Sequence, residues 1–188
     1  IFRDAKYSLL AVKNGYYVLF EGNTFSELPV CNNTKTLKSS LDFELLTAGR
    51  GTGESEYLDN AFNTGILGDF TNNSLMYLTI RGRERTSEFD FSFQNSENTI
   101  YVSGVQIEVD AGFEAERDIV LVEAKIGGRD FFNVRQVYYP YRHFQQLVPS
   151  KKIRNLFFLY DLAQATYTFY EFDFLDDRIF DSIHLTNC

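Results

Sequence analysis

The stretch that decides the fold lies in the middle of the chain, where residues 106–110 read QIEVD and residues 118–125 read DIVLVEAK. Side chains two apart on a strand share a face. The polar residues of the first segment are therefore expected on one face, and Glu123 and Lys125 on one face of the second. If the two strands are neighbours, the acidic end of the first meets the Glu-x-Lys end of the second.

This meeting would bring metal-binding and catalytic groups together. The carboxylates of Asp110 and Glu123, with the backbone carbonyl of Ala124, form a set of hard oxygen ligands that suits Mg²⁺. Paired carboxylates repel one another, and a divalent cation relieves that repulsion. Lys125 would lie beside the cation and the scissile phosphate, where it can orient a water molecule and stabilise developing charge.

The spacing of Asp110 and the following Glu-x-Lys resembles the PD-(D/E)XK nuclease superfamily, and most closely its type II restriction endonucleases. The resemblance covers roughly the second and third quarters of the chain. It implies an α+β fold whose restriction-endonuclease-like core is a central mixed β-sheet flanked by helices. It also implies cleavage of double-stranded DNA with Mg²⁺, for which Mn²⁺ can substitute. The sequence departs from the family pattern at Asp110, which has no Pro before it.

Further acidic residues are candidate ligands. Glu108 shares the predicted face of Asp110, and a ligand and a solvated strand residue explain it equally well. Glu54 and Glu56 open a predicted helix, where the helix dipole favours acids, but the resemblance places an extra acidic residue there. The predicted catalytic residues are Asp110, Glu123 and Lys125. The predicted metal ligands are Asp110, Glu123 and the Ala124 carbonyl, with Glu108 and either Glu54 or Glu56 as additions.

Charge along the chain is uneven. The formal net charge is −8, which argues against a passive nucleic-acid coat protein, because phosphate contacts require basic residues. Residues 129–154 are locally basic and rich in tyrosine, which favours a DNA-binding segment. The resemblance also gives this family a substrate-facing helix at Arg135, Gln136 and Tyr139. The predicted DNA-binding residues are Arg129, Arg135, Gln136, Tyr139, Arg142, Lys151 and Lys152. A second cluster at Arg81–Arg85 is interpreted as ordinary surface charge.

Periodicity predicts the secondary structure. A β-hairpin is expected at 7–21 around Asn14-Gly15, followed by a surface connection at 22–40. The expected helices are 54–67, with Thr52 as its cap, and 132–148, which Pro140 should kink or split. The expected strands are 75–81, 88–93, 101–110, 119–125, 155–160 and 166–174, with a turn at Gly112 and an extended piece near Ile183. One nuclease domain is predicted over 1–188, with the hairpin and connection of 1–48 packed on or beside a catalytic core at 49–188.

Other sequence features bear on the cellular compartment, on membrane insertion and on ATP binding. Cys31 and Cys188 are interpreted as free thiols in a reducing cytosol, and a cytoplasmic protein is expected. No apolar run is long enough to cross a bilayer, and no Gly-Lys-Thr/Ser phosphate loop for ATP occurs.

Three functions remain open at this stage. The first is a sequence-specific type II restriction enzyme, for which a homodimer would suit a palindromic duplex target. The second is a repair or junction-resolving nuclease of the same fold. The third is a partner-binding module without catalysis, whose acidic strands are exposed edges. DNA cleavage that depends on a divalent cation would separate the first two from the third.

Overall fold

The computed structural model describes residues 7–32, 41–48, 51 and 53–188, and a six-stranded sheet lies at its centre. The chain is α+β, as predicted. The strands are β1 (Tyr7–Lys13), β2 (Tyr16–Glu21), β3 (Phe25–Glu27), β4 (Tyr77–Arg85), β5 (Phe89–Phe91), β6 (Ile100–Val102), β7 (Gln106–Glu114), β8 (Asp118–Ile126), β9 (Phe131–Asn133), β10 (Lys152–Asp161), β11 (Thr166–Phe174) and β12 (Ile183–Asn187). The helices are α1 (Glu54–Asn63), α2 (Ile66–Thr71) and α3 (Arg135–Leu147).

The central sheet is mixed, with the strand order β12-β11-β10-β8-β7-β4. β8 and β10 pair in parallel, and the other neighbours pair antiparallel. A parallel pair needs a crossover connection, and the chain between β8 and β10 includes α3, which packs against both strands. This arrangement sets the beginning of α3 close to the end of β8.

Two apolar cores lie on the two faces of this sheet. The first contains α3 residues such as Val137 and Tyr138, together with Ile119 and Leu121 of β8. The second contains α1 residues such as Leu58, together with the alternate β8 residues, such as Val122. Since successive strand residues point to opposite faces, β8 is covered on both sides. Burial on both faces explains why β8 contains a continuous run of apolar residues.

The predicted hairpin is confirmed. β1 and β2 pair antiparallel across Asn14-Gly15, and Gly15 adopts φ +78°, a left-handed conformation that glycine takes without steric cost. Leu10 and Ala11 are buried in the first core, and the Tyr139 hydroxyl donates a hydrogen bond of 2.8 Å to the Ala11 carbonyl. The hairpin therefore packs directly against α3.

Several predicted boundaries are corrected. The strand expected at 101–110 is two strands, β6 and β7, separated at Gly104, where φ is +63°. Gly112 lies inside β7 rather than in a turn, and a Cβ there would be 2.7 Å from the Ile80 Cβ. This close approach of β4 explains the glycine.

The helices also differ from expectation. The helix predicted at 54–67 ends at Asn63, because Gly65 turns left-handed (φ +83°) before α2 begins. The expected cap, Thr52, lies outside the described residues. α3 continues through Pro140 without a break. The connection predicted at 22–40 contains β3, which pairs with β9, and its residues 33–40 lie outside the described part of the chain.

The cysteine prediction is wrong. Cys31 and Cys188 form a disulfide with a Cα–Cα distance of 5.7 Å. Both residues pack against the first core, which brings positions 157 residues apart into contact. No pattern in the sequence could predict that proximity.

Within the described residues, no helix has the length and apolar character needed to span a membrane.

Candidate active site

The site begins where two central strands part. The paired residues of β7 and β8 run from Glu114↔Ile119 to Ala111↔Val122 and stop there. One residue beyond, the Asp110 carboxylate takes the place of a backbone acceptor, and its Oδ2 accepts a hydrogen bond of 2.8 Å from the Ala124 amide. The first half of β7 therefore pairs with β4 alone and diverges from the end of β8.

An irregularity in β7 accompanies this divergence. Ile80 pairs with Gly112, whereas Gly82 pairs with Val109, so β7 contains one extra residue over this interval. Val109 lies in the α3-side core and Ala111 in the α1-side core. A bulge of this kind re-aims side chains, and the regular alternation predicted for this segment breaks at Asp110.

An open cleft of about 380 Å³ occupies the gap between the strands. Its floor comes from β7 and β8, and the first residues of α1 and α3 flank it. The lining residues are Glu54, Gln106, Ile107, Glu108, Asp110, Glu123, Lys125, Arg135, Gln136 and Pro140. The structure thus brings Asp110, Glu123 and Lys125 together, as the sequence predicted.

The Lys125 ammonium lies among the carboxylates. Its Nζ is 2.8 Å from Glu123 Oε1, 3.3 Å from Glu54 Oε2 and 3.9 Å from Asp110 Oδ2. It also donates a hydrogen bond of 2.7 Å to the Ala124 carbonyl. Three acidic side chains and one carbonyl thus surround a single positive charge.

The structure separates the alternatives for the additional acid. Glu54 contacts Lys125 in the cleft. Glu56 instead accepts a hydrogen bond of 2.6 Å from the amide of Gly51, which lies just before the helix, and this contact holds it locally. Glu108 lines the cleft but is exposed and pairs with Arg83 at 3.2 Å. Glu54 is therefore the better-placed third carboxylate.

Glu123 is buried, and its environment changes its protonation. Burial, followed by the negative charge of Asp110, raises the pKa of Glu123 to about 7. The Gln136 side-chain amide donates a hydrogen bond to Glu123 Oε1 from the first turn of α3. Burial lowers the pKa of Lys125, but the charge and hydrogen bond of Glu123, together with the charges of Asp110 and Glu54, raise the pKa overall.

This acid should make stability depend on pH, and Glu123→Gln should reveal it. A carboxyl group whose folded pKa is raised stabilises the fold fully below its unfolded pKa, and that contribution is lost as pH rises through about 7. Glu123→Gln keeps the neutral form at all pH values. It should raise the melting temperature at pH 8, by the equivalent of a few kcal/mol at about 1.4 kcal/mol per pKa unit, and change it little at pH 4.5.

Thermal unfolding at the two pH values measures this effect. Glu108→Gln is the matched control, since it neutralises an exposed acid of the same cleft. Equal melting temperatures for Glu123→Gln and the native chain at pH 8 would contradict the prediction.

The oxygen atoms around Lys125 are ligands that suit a hard cation, and the Lys125 ammonium lies at their centre. The described residues contain no ready-made group of three or more His, Cys, Asp or Glu side chains for a metal ion. The oxygens of Glu54, Asp110, Glu123 and Ala124 converge on the ammonium instead. Carboxylate and carbonyl oxygens are the ligands that Mg²⁺ prefers, and the Lys125 side chain would have to move aside to admit it.

The predicted DNA-binding residues separate into three groups. Arg135 and Gln136 line the cleft, and Arg129 is exposed four residues after Lys125. Burial removes Tyr139 and Arg142 from the candidate set. Tyr139 is fully buried and bonded to the hairpin.

The guanidinium of Arg142 is also internal. Its side chain is buried and donates hydrogen bonds to the carbonyls of Asp90 and Asp177 and to the Tyr138 hydroxyl. A guanidinium held by carbonyls inside the protein cannot reach a phosphate.

Lys151 and Lys152 lie at the end of the sheet opposite the cleft. Lys152 pairs with Asp118 at the start of β8, and seven strand residues separate that point from Lys125, or about 23 Å. Lys151 is held by Glu114 and by the Ala115 carbonyl. The continuous basic segment seen in the sequence is therefore divided by the fold.

Comparisons with known proteins place the chain in one family. Neither the curated proteins nor the solved structures include a match to it. A family model described as "Domain of unknown function (DUF6997)" matches residues 20–188. That match covers most of the chain, and the protein therefore belongs to the DUF6997 family.

Proposed function

We propose that this chain is a metal-dependent endonuclease of the PD-(D/E)XK type that hydrolyses phosphodiester bonds in double-stranded DNA, and that it acts as a type II restriction enzyme. The observation that carries the proposal is the convergence of Asp110, Glu123 and Lys125 in one open cleft where two strands part. The central mixed sheet flanked by helices supports it, since the resemblance implies that plan.

The residues that would hold Mg²⁺ are Asp110, Glu123, the Ala124 carbonyl and Glu54. A bound Mg²⁺ would polarise the phosphoryl oxygen and help to generate the hydroxide nucleophile. Glu123 must be ionised to act as a ligand, and a pKa of about 7 makes this possible at neutral pH and above.

The protein's own groups account for the rest of the proposed chemistry. The Ala124 amide fixes the Asp110 carboxylate, and the Gln136 amide fixes Glu123. Lys125 carries a positive charge within 4 Å of both acids. In the proposed reaction it stabilises negative charge that develops on a phosphate in the cleft and orients the attacking water.

A cleavage assay tests this function. Plasmid and phage DNA are incubated with the protein and Mg²⁺, Mn²⁺ or EDTA. The native chain is expected to cut with the divalent ions and not with EDTA. Asp110→Asn, which keeps the shape and loses the charge, should lower cleavage by about a hundredfold or more. Asp69→Asn, at an exposed position in α2, is the matched control and should cut normally.

The pattern of products refines the result. Discrete fragments from phage DNA support a sequence-specific restriction enzyme, whereas a preference for branched DNA favours a repair or junction-resolving role. Intact DNA with both metals, across varied substrates, would reject the proposal and favour a partner-binding module.

A further inference from the structure

Three arginines lie along β4, which is an edge strand of the central sheet within the described residues. Arg83 and Arg85 lie in the regular part of the pairing with β7 and therefore share one face of the strand, whereas Arg81 lies within the irregularity between Ile80 and Gly82. We refer to these three residues as the arginine row. Every second residue of a strand advances by about 6.7 Å, which is close to the distance between successive phosphates along one DNA strand.

The pairing of β4 with β7 places this row beside the cleft. Arg83 lies opposite Glu108, and Arg85 lies opposite Gln106. Directly opposed residues of antiparallel strands point to the same face, and both partners line the cleft. The row therefore begins near Asp110 and runs outward along one rim of the cleft.

The members of the row differ in how firmly they are held. Arg81 forms a bidentate pair with Asp59 of α1. Arg83 pairs with Glu108 at 3.2 Å, but its side chain is 67% exposed and that of Glu108 57%. Exposed pairs of this kind contribute little to stability, so the Arg83 guanidinium can exchange its carboxylate for a phosphate.

Arg85 is the most available member. Within the described residues it forms no ion pair, and it donates a hydrogen bond of 2.9 Å to the Gly104 carbonyl. Guanidinium groups match phosphate oxygens with two parallel hydrogen bonds. Arg85 thus presents a cation that no acidic side chain of the described residues neutralises.

A further exposed cation lies on the hairpin, beside a segment in which Ser103 also donates a hydrogen bond of 3.2 Å to the Glu88 carboxylate. Ser103, next to Gly104, forms a β-bridge with Lys13. Lys13 is exposed, and its Nζ lies 5.9 Å from the ring centre of Tyr16, whose side chain is 66% exposed. A cation beside an exposed aromatic ring suits a nucleic-acid strand, since bases stack on such rings.

We infer that Arg83, Arg85 and Lys13 form a track that binds one phosphate backbone of the DNA substrate and leads it into the cleft. This inference rests on the nuclease function proposed above. The competing explanation is that the arginines only protect an exposed sheet edge from pairing with other chains. The two explanations make different predictions for DNA affinity and its dependence on salt.

The test compares two double variants that each remove two positive charges. Arg83→Ala/Arg85→Ala changes the track. Arg117→Ala/Lys152→Ala is the matched control, because both of its residues are exposed at the opposite end of β8. Fluorescence anisotropy in EDTA measures binding to a labelled duplex, and to one of its single strands, over a series of salt concentrations.

The track variant is expected to bind the duplex at least tenfold more weakly than the native chain. Its plot of log affinity against log salt should be less steep by about 2, since each lost phosphate contact removes about 0.9. The control should retain the native slope. Arg83→Lys/Arg85→Lys should retain most of the slope, because the charges remain, and this excludes misfolding as the cause.

The outcomes test the phosphate-binding track and the proposed nuclease function separately. If the native chain cuts DNA and Arg83→Ala/Arg85→Ala binds with native affinity and slope, the track is overturned and the nuclease function stands. Self-association of that variant with an unchanged slope would overturn the track in favour of edge protection. A native chain that binds DNA through these arginines without cutting it supports the track and counts against the nuclease. A native chain that neither binds nor cuts overturns both.

Discussion

Lys125→Met is expected to strengthen metal binding while nearly abolishing DNA cleavage. The Lys125 Nζ lies within 3.3 Å of both Glu123 and Glu54, so its charge competes with any cation for the same oxygens. Removing that charge should raise the affinity for Mg²⁺ or Mn²⁺ severalfold. The same change removes the group that we propose to stabilise the phosphate, which should lower the cleavage rate by about a hundred- to a thousandfold.

Two measurements separate these effects. Titration calorimetry with Mn²⁺ gives the affinity for the metal, and single-turnover cleavage of a plasmid gives the rate of the chemical step. Lys152→Met is the matched control, because it removes an exposed lysine about 23 Å from the site. It should leave both measurements unchanged.

Loss of metal binding in Lys125→Met would contradict this interpretation. Lys125 would then be needed to gather the carboxylates rather than to act on the phosphate. Undiminished cleavage by the variant would remove Lys125 from the proposed catalytic residues.

The second large effect concerns stability. Cys31→Ser/Cys188→Ser should lower the free energy of unfolding by about 4–5 kcal/mol, because the disulfide closes a segment of 157 residues and so restricts the unfolded chain. For a chain of this size, the melting temperature should fall by about 10–20 °C.

Urea denaturation of the native and variant chains measures the difference. A reducing agent should destabilise the native chain by the same amount and leave the double variant unaffected. If reduction does not move the unfolding midpoint of the native chain, the disulfide does not contribute to its stability.

The sequence predicted the site better than it predicted the surface around it. The pairing of consecutive strands, which the sequence indicates, brings Asp110 close to Glu123 and Lys125, whereas the bulge in β7 at Asp110 was not predictable from alternation. The hairpin was predictable for a similar reason, since Asn14-Gly15 specifies its turn. Local signals were sufficient for the strand pairing and for the hairpin turn.

The errors arose where distant parts of the chain determine the outcome. Tyr139 and Arg142 are three residues apart and share the core face of α3, whereas Arg135 reaches the cleft. A count of basic residues along the chain cannot distinguish these faces. The pairing of β4 with β7 likewise gives the arginine row its position, and the sequence alone favoured ordinary surface charge for it.

The hydrogen bond between Asp110 and the Ala124 amide bears on how an inactive form of this protein should be made. Ala124 is fully buried. Replacing Asp110 by Ala would leave the Ala124 amide without this acceptor, which should lower the free energy of unfolding by about 1–3 kcal/mol. Activity lost in such a variant would mix chemistry with damage to a central strand. Asn retains an oxygen at that position, and so Asp110→Asn is the form suited to trapping an uncleaved complex with DNA.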